Sequence, residues 1–172
     1  MLVYNETFRK IQIYSPGSTN ISNTNIVEFT NGDDSMRQSF VNKSQGEIAS
    51  ISVYGQKTNE IGSDIIIDFE GSSVNLFFDY WDSQGVNNLQ WHTFTFATPI
   101  PVNAYQTYEF KLWGPGNCSG NIVFAKNNSY SGGSVVSSGN CGGTPVGFAN
   151  GEDLVFIINY VNAGVLGWNN LN

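Results

Sequence analysis

The chain has 172 residues, of which 40% are hydrophobic and only 12% are charged, and its net charge is −7. That length and apolar content suit one domain with a sizeable core. The seven Lys and Arg residues are too few to displace counterions from phosphates, so a nucleic-acid partner is disfavoured. No run approaches the roughly 20 apolar residues of a membrane-spanning helix, and we expect no membrane insertion.

Alternation of apolar and polar residues with a period of two runs along the chain, and no helical periodicity is present. Two extended pieces, 3–14 and 21–29, are separated by a Ser-Pro-Gly-Ser turn. We interpret residues 1–30 as an N-terminal arm or an extra pair of strands. Residues 31–34, Asn-Gly-Asp-Asp, predict a turn. The remaining strands are predicted at 36–42, 47–56, 64–69, 74–81, 90–97, 107–113, 121–126, 134–137 and 154–162.

Short strands at intervals of about 8–12 residues, with turn residues between them, are typical of a sandwich or a barrel. Pro99 and Pro101 are expected to interrupt ladder hydrogen bonds and to force a bend after residue 97. We therefore predict an all-β fold. It is a jelly-roll β-sandwich of two antiparallel sheets over residues 31–172, preceded by the extended arm of residues 1–30.

Six short motifs follow one another between residues 36 and 161. They are Gln-Ser-Phe at 38–40, Trp-His-Thr-Phe-Thr-Phe at 91–96, Pro-Ile-Pro-Val at 99–102, Thr-Tyr-Glu-Phe-Lys-Leu at 107–112, Tyr-Ser-Gly-Gly at 130–133 and Asp-Leu-Val-Phe at 153–156. In this order they resemble the jelly-roll modules of secreted bacterial proteins, including carbohydrate-binding-like adhesin domains, and of bacteriophage virion surface proteins. The resemblance implies a jelly-roll fold and a role in sugar binding or adhesion.

The two cysteines, Cys118 and Cys141, flank a predicted hairpin that contains Tyr130, so their sulfurs can meet across its base. A disulfide there would stabilise the fold by about 3 kcal/mol and would indicate an oxidising environment. Two small buried or free thiols are the alternative.

Catalytic motifs are absent from the sequence. The single histidine, His92, excludes every motif that needs two. It alternates with Phe94 and Phe96 on one side of its strand, and we interpret it as a packing residue. Glycosidases need only two carboxylates, but no pair of acids here has a separation that the sequence defines. We expect no enzymatic activity.

Aromatic residues indicate a binding surface. Strand phase places three tryptophans on outward faces or at strand ends, where a flat ring can stack on a sugar or anchor a protein. Two acids share such faces. The predicted ligand-binding residues are Trp81, Trp91, Trp113, Tyr130, Asp79 and Glu109. Internal packing beneath the N-terminal arm is the alternative role for these rings.

Calcium is the only ion that the sequence favours. The pairs Asp33-Asp34 and Glu152-Asp153 each follow an Asn-Gly turn, and hard cations take carboxylate and backbone oxygens from such loops. Exposed turn acids are the expected role of these residues, and Asp33, Asp34, Glu152 and Asp153 are the candidate ligands if a structural calcium is bound. No other cofactor is expected.

Two settings fit these features. The first is a structural or host-attachment protein on the surface of a virion, associated with itself or with other virion proteins and in contact with a cell-surface glycan. The second is a carbohydrate-binding or adhesive module of a secreted bacterial protein. The first residues lack a basic segment followed by an apolar one, so no secretion signal is expected, and this favours the virion.

Overall fold

A computed structural model describes residues 10–13, 26–43, 45–57, 63–78, 89–114, 120–127, 132–138 and 153–161. These residues form eleven β-strands and no helix, which confirms the all-β prediction. No helix in the described part of the chain is long and apolar enough to cross a membrane. The strands are β1 Lys10–Ile13, β2 Ile26–Val41, β3 Gly46–Lys57, β4 Ser63–Phe69, β5 Ser72–Phe78, β6 Gln90–Val102, β7 Thr107–Gly114, β8 Gly120–Asn127, β9 Val135–Ser138, β10 Asp153–Leu154 and β11 Phe156–Val161.

The strands form two antiparallel sheets that pack face to face, as predicted. Sheet 1 has the order β1-β11-β3-β6, and β8 pairs with the end of β3 beyond β11. Sheet 2 has the order β9-β2-β7-β4-β5. Strand β2 belongs to both, since residues 26–31 pair with β8 and residues 35–41 pair with β7.

The prediction of a turn at residues 31–34 is wrong. Strand β2 continues through them, and its register against β7 shifts between Gly32 and Ser35. A bulge of this kind bends a strand and increases its twist, so β2 can leave one sheet and enter the other. Hydrogen bonds to β8 and β7 hold a locally turn-forming sequence extended. Residues 26–30 thus share a strand with 35–41, while 1–9 and 14–25 of the predicted arm lie outside the described residues.

Strand β6 also differs from its prediction, because it continues past residue 97 to Val102. Its register against β3 shifts where the prolines begin, so that the four residues 96–99 lie opposite the single residue Ala49. Among the described strands β6 pairs only with β3, so it has one edge without a partner strand. Prolines are tolerated at such an edge because no neighbouring strand needs their missing N–H.

The core lies between the sheets and is built on aromatic rings. The Phe40 ring centroid is 6.0 Å from those of Phe69 and Phe156, and the Phe69 centroid is 5.9 Å from that of Phe96. Phe156 and Phe96 belong to sheet 1, and the other two belong to sheet 2. The contacts of Phe40 with Phe156 and of Phe69 with Phe96 therefore hold the two sheets together, and each buried phenylalanine contributes about 2 kcal/mol.

Strand β7 shows how alternation orients the side chains. Tyr108, Phe110 and Leu112 are buried in the core, whereas Glu109 is exposed and Trp113 is half-buried. Successive side chains of a strand point to opposite faces, and the predicted faces of this strand are confirmed.

A buried clamp joins two of the sequence motifs, Gln-Ser-Phe and Asp-Leu-Val-Phe. The Gln38 amide donates from Nε2 to Asp153 Oδ1 at 2.6 Å, and Gln38 Oε1 accepts from the Leu154 backbone N–H at 2.8 Å. Beside it, the backbone N–H of Ser39 donates to the Ser134 carbonyl at 2.9 Å. Strand β2 thereby holds β10 and the residue that precedes β9, and these motif residues have a structural role.

The β4–β5 hairpin closes through Glu70 and Gly71, whose φ angles are 45° and 80°. Two consecutive residues with positive φ are characteristic of a type I′ turn, whose twist matches the twist of the flanking strands. Glycine adopts this conformation freely, whereas glutamate does so at a cost.

Candidate functional site

Three adjacent strands of sheet 1 place polar side chains on its outer face. Ser50 of β3 lies opposite Asn159 of β11 on one side and Thr95 of β6 on the other, and Ser52 lies opposite Thr93. Because side chains alternate along each strand, the residues between them point inward and are buried among the core, namely Ile51, Phe94 and Ile158. The result is a floor of hydroxyl and amide groups.

Hydrogen bonds fix the positions of these polar groups. The Asn159 amide lies 3.0 Å from Ser50 Oγ and 3.3 Å from Ser52 Oγ, to which Nδ2 donates. Ser52 Oγ and Thr93 Oγ1 lie 2.8 Å apart. Ser50 and Ser52 are only 7% and 5% exposed, so their hydroxyls mainly orient the network. The exposed Thr93 and Thr95 and the half-buried Asn159 are the polar groups that can serve a ligand.

Trp91 stands at one end of this floor. Its side chain is 44% exposed, and its ring packs on Tyr54 of β3 with centroids 5.0 Å apart and planes inclined by 46°. The contact with Tyr54 orients the indole, and the exposed part offers a flat apolar surface beside the hydroxyl groups.

These residues line a cavity of about 480 Å³, which we call the outer groove. That volume lies within the range of about 300–1,000 Å³ that is usual for small-ligand sites. Small side chains form its floor, while a large ring forms its end. A polyhydroxylated ligand can form hydrogen bonds with the floor and stack a C–H face on the indole.

A second cavity of about 730 Å³, the end cleft, lies where β3 begins and β6 ends, and Gln45, Glu47 and Asn103 are among its lining residues. Val161 lines both the end cleft and the outer groove. The two cavities are therefore neighbours along the same face.

His92 lies beside the groove residues in sequence but on the other side of the strand. Its Nε2 is 3.1 Å from the Gly55 carbonyl oxygen. Burial lowers the pKa of His92, and the contact with the Gly55 carbonyl opposes that effect in part. The ring is therefore mainly neutral at pH 7, which agrees with the predicted packing role.

Trp113 and Glu109 lie on the outer face of sheet 2, away from Trp91 on sheet 1. Trp113 Nε1 donates to Asp68 Oδ2 at 2.7 Å, and Lys111 Nζ lies 5.5 Å from the Trp113 ring centroid. Arg37 Nη1 lies 3.6 Å from Glu109 Oε1. Of the predicted ligand-binding residues, the structure thus brings Trp113 and Glu109 to one face, and Trp91 does not share it.

The remaining predicted ligand-binding residues, Trp81, Asp79 and Tyr130, lie outside the described part of the chain. The same holds for Cys118 and Cys141. Their roles in ligand binding and in a disulfide stay predictions.

The predicted calcium ligands are described only in part. Asp153 is 1% exposed, and its carboxylate accepts the hydrogen bond from Gln38, while its second oxygen has no hydrogen-bond partner. The backbones of Asp33 and Asp34 lie in β2, whereas their side chains and all of Glu152 lie outside the part of the chain that the structure describes. Among the described residues, no three His, Cys, Asp or Glu side chains cluster as metal ligands. The calcium site stays a prediction.

Sequence reasoning missed the floor of the groove. Ser50, Ser52 and Asn159 alternate with buried aliphatic residues, which is a visible signal of an outward polar row. The pattern identifies such rows on many strands, but it does not state which strands become neighbours.

Comparison with known proteins adds no family. Neither the scan against protein-family models nor the search of curated proteins finds a match for this chain. The assignment of function therefore depends on the groove and its chemistry.

Proposed function

We propose that this protein is a non-enzymatic attachment module with a jelly-roll fold, which is displayed on a virion surface and binds a host-surface glycan in the outer groove. The observation that carries the proposal is the exposed ring of Trp91 beside the hydrogen-bonded floor of Ser50, Ser52, Thr93 and Asn159. Sugars present hydroxyl groups around their rims and C–H groups on their faces. The groove offers a complementary surface to both.

Binding, without catalysis, is the role that this chemistry supports. Serine and threonine become nucleophiles only beside a base or in another activating environment. The described lining of the groove consists of alcohols, an amide, aromatic rings and aliphatic groups, and it includes no imidazole, amine or carboxylate. Such a lining holds a ligand through many weak contacts, as an adhesive module does.

The virion setting rests on composition and on the order of the motifs. Only 12% of the residues are charged, and Asn, Ser, Thr and Gly take their place as solubilising residues, which is common in virion and extracellular proteins. Self-association or contact with other virion proteins is part of this proposal. A module of a secreted bacterial protein at the cell surface is the second candidate, since it would use the same groove.

A glycan array tests the binding site. The wild-type chain and Trp91→Ala are compared with Tyr105→Ala, which removes an aromatic side chain that is 83% exposed in the β6–β7 turn. We expect Trp91→Ala to weaken binding by at least about ten-fold, which corresponds to about 1.4 kcal/mol. Tyr105→Ala should bind as the wild type does. Unchanged binding by a folded Trp91→Ala protein would refute the outer groove as the site.

The mass of the untagged chain in solution distinguishes the two settings. A trimer or a larger closed ring in size exclusion with light scattering supports the assembling virion component. A monomer favours the secreted module.

A further inference from the structure

We infer that the ligand of the outer groove is a neutral oligosaccharide chain, which extends from Trp91 along β3 into the end cleft. This inference rests on the proposed function and adds the charge class and the length of the glycan. It would apply equally to a virion protein and to a secreted module.

The neutral character follows from the charges around the groove. The described residues that line it carry no charge at neutral pH. Carboxylate, sulfate and phosphate groups are bound most strongly where cations, above all arginine, pair with them. Two described cations, Arg37 and Lys111, are instead on the outer face of sheet 2, where they contact Glu109 and Trp113. The described lining of the groove therefore holds no cation that would favour an anionic sugar.

Glu47 adds a repulsive element at the far end. It is exposed, lines the end cleft and lies opposite Val161 of β11 and Pro101 of β6. A carboxylate can accept a hydrogen bond from a sugar hydroxyl, but it repels an anion. The net charge of −7 acts in the same direction.

The length of the ligand follows from the position of the two cavities. Trp91 lies opposite Tyr54, and Tyr54 is seven residues from Glu47 along β3. At about 3.3 Å per residue, the line from the indole to the carboxylate is about 23 Å long, which is much longer than one sugar ring. Val161 borders both cavities, so one chain of sugars can occupy them in succession.

The experiment measures affinity for matched series of oligosaccharides of increasing length. The neutral series contain hexose or N-acetylhexosamine units, and the anionic series contain uronate, sialylated or sulfated units. We expect neutral oligomers to bind at least about ten-fold more tightly than the corresponding monosaccharides. We also expect their affinity to change little when the ionic strength rises from about 0.05 M to about 0.5 M, because screening weakens only charge–charge attraction.

Variants separate the two ends of the site. Trp91→Ala should weaken binding of short and long neutral oligomers alike. Gln45→Ala and Glu47→Gln should weaken only the long ones, since they alter the end cleft.

Three results would overturn the inference. Tighter binding of an anionic series would overturn it, and so would an affinity that does not grow with the length of the oligosaccharide. In both cases the proposed function still holds if glycan binding depends on Trp91. Failure of every neutral and anionic series to bind would overturn the proposed function and the inference together.

Discussion

Replacing Gln38 by leucine tests the buried clamp between β2 and β10. The substitution retains most of the side-chain volume but removes the hydrogen bonds of the amide. Oε1 accepts from the Leu154 N–H at 2.8 Å, and Nε2 donates to Asp153 Oδ1 at 2.6 Å and lies 2.9 Å and 3.4 Å from the Ser39 and Ser134 carbonyl oxygens. Asp153 is 1% exposed, so solvent does not readily replace the lost partner. The clamp should therefore contribute measurably to the free energy of unfolding.

The expected loss follows mainly from the contacts with Asp153 and Leu154. A hydrogen bond to a charged group contributes about 1.5–3 kcal/mol, and one between neutral groups contributes about 1 kcal/mol. We expect Gln38→Leu to lower the free energy of unfolding by about 3 kcal/mol at neutral pH. For a domain of this size each kcal/mol shifts the melting temperature by about 2–4 °C, so the midpoint should fall by about 6–12 °C.

The loss should depend on pH in a defined direction. Burial raises the pKa of the Asp153 carboxyl above its usual range, and the hydrogen bond from Gln38 partly opposes that effect. A raised pKa in the folded state gives stability that is complete below the unfolded-state pKa and declines as the pH rises through the folded-state pKa. Without Gln38 the pKa of Asp153 rises further. The free energy of unfolding of Gln38→Leu should therefore fall further below that of the wild type at about pH 7.5 than at about pH 4.

Urea unfolding of a double-mutant cycle completes the test. Gln38→Leu/Asp153→Leu should be more stable than the sum of the two single losses predicts, by about 1–2 kcal/mol, because it leaves no carboxylate without its donor. Asp153→Asn is the control, since it keeps an oxygen acceptor and removes the titrating group. A loss below about 1 kcal/mol for Gln38→Leu, or additive single losses, would refute the reasoning.

The hairpin turn and the outer face of sheet 2 offer two further tests. Glu70 has a φ of 45°, so Glu70→Asn should raise the free energy of unfolding by about 0.5–1 kcal/mol, since asparagine tolerates this conformation better. Gly71→Ala should lower it by about 1 kcal/mol, even though an added Cβ meets no atom within 4 Å; equal urea midpoints for the three proteins would contradict the type I′ turn. Trp113→Phe removes the 2.7 Å hydrogen bond to Asp68 and should cost about 1 kcal/mol. The control is the same Trp113→Phe substitution in an Asp68→Asn background, measured by thermal unfolding. A Trp113→Phe protein as stable as the wild type would show that this hydrogen bond does not contribute to stability.

The faces of individual strands could be predicted from the sequence. In β6, Phe94 and Phe96 are buried while Trp91 and Thr93 are exposed, as their alternation predicts. In β7 the alternation holds equally. This succeeds because the direction of a side chain depends on the pleat of its own strand, and so a few consecutive residues contain the necessary information.

Two predictions about where strands end were wrong, because the end of a strand depends on its neighbouring strands and not on its own residues alone. Residues 31–34 form a turn signal and Pro99 is a strand breaker, yet β2 and β6 continue through both. In β2, pairing with strands distant in sequence overrides the local preference. In β6, the position at a sheet edge makes proline tolerable. Neither the partner strands of β2 nor the edge position of β6 can be inferred from the local sequence.

Half of the candidate site could be predicted from strand alternation in the same way. The exposed ring of Trp91 follows from strand phase, whereas its polar floor requires that β11, β3 and β6 lie side by side in one register. Asn159 and Ser50 are 109 residues apart in the chain, and they meet through a hydrogen bond of 3.0 Å. No periodicity in the sequence predicts that contact.

The sequence by itself therefore determined the all-β class, the two-faced strands and the aromatic composition of the core, because each depends on local alternation and on the burial of apolar side chains. Only the tertiary structure decided which strands are neighbours, where β2 changes sheets and which polar rows unite into a groove. Those features depend on long-range hydrogen-bond registers and on the packing of one sheet on the other. They are properties of the whole chain and not of any segment.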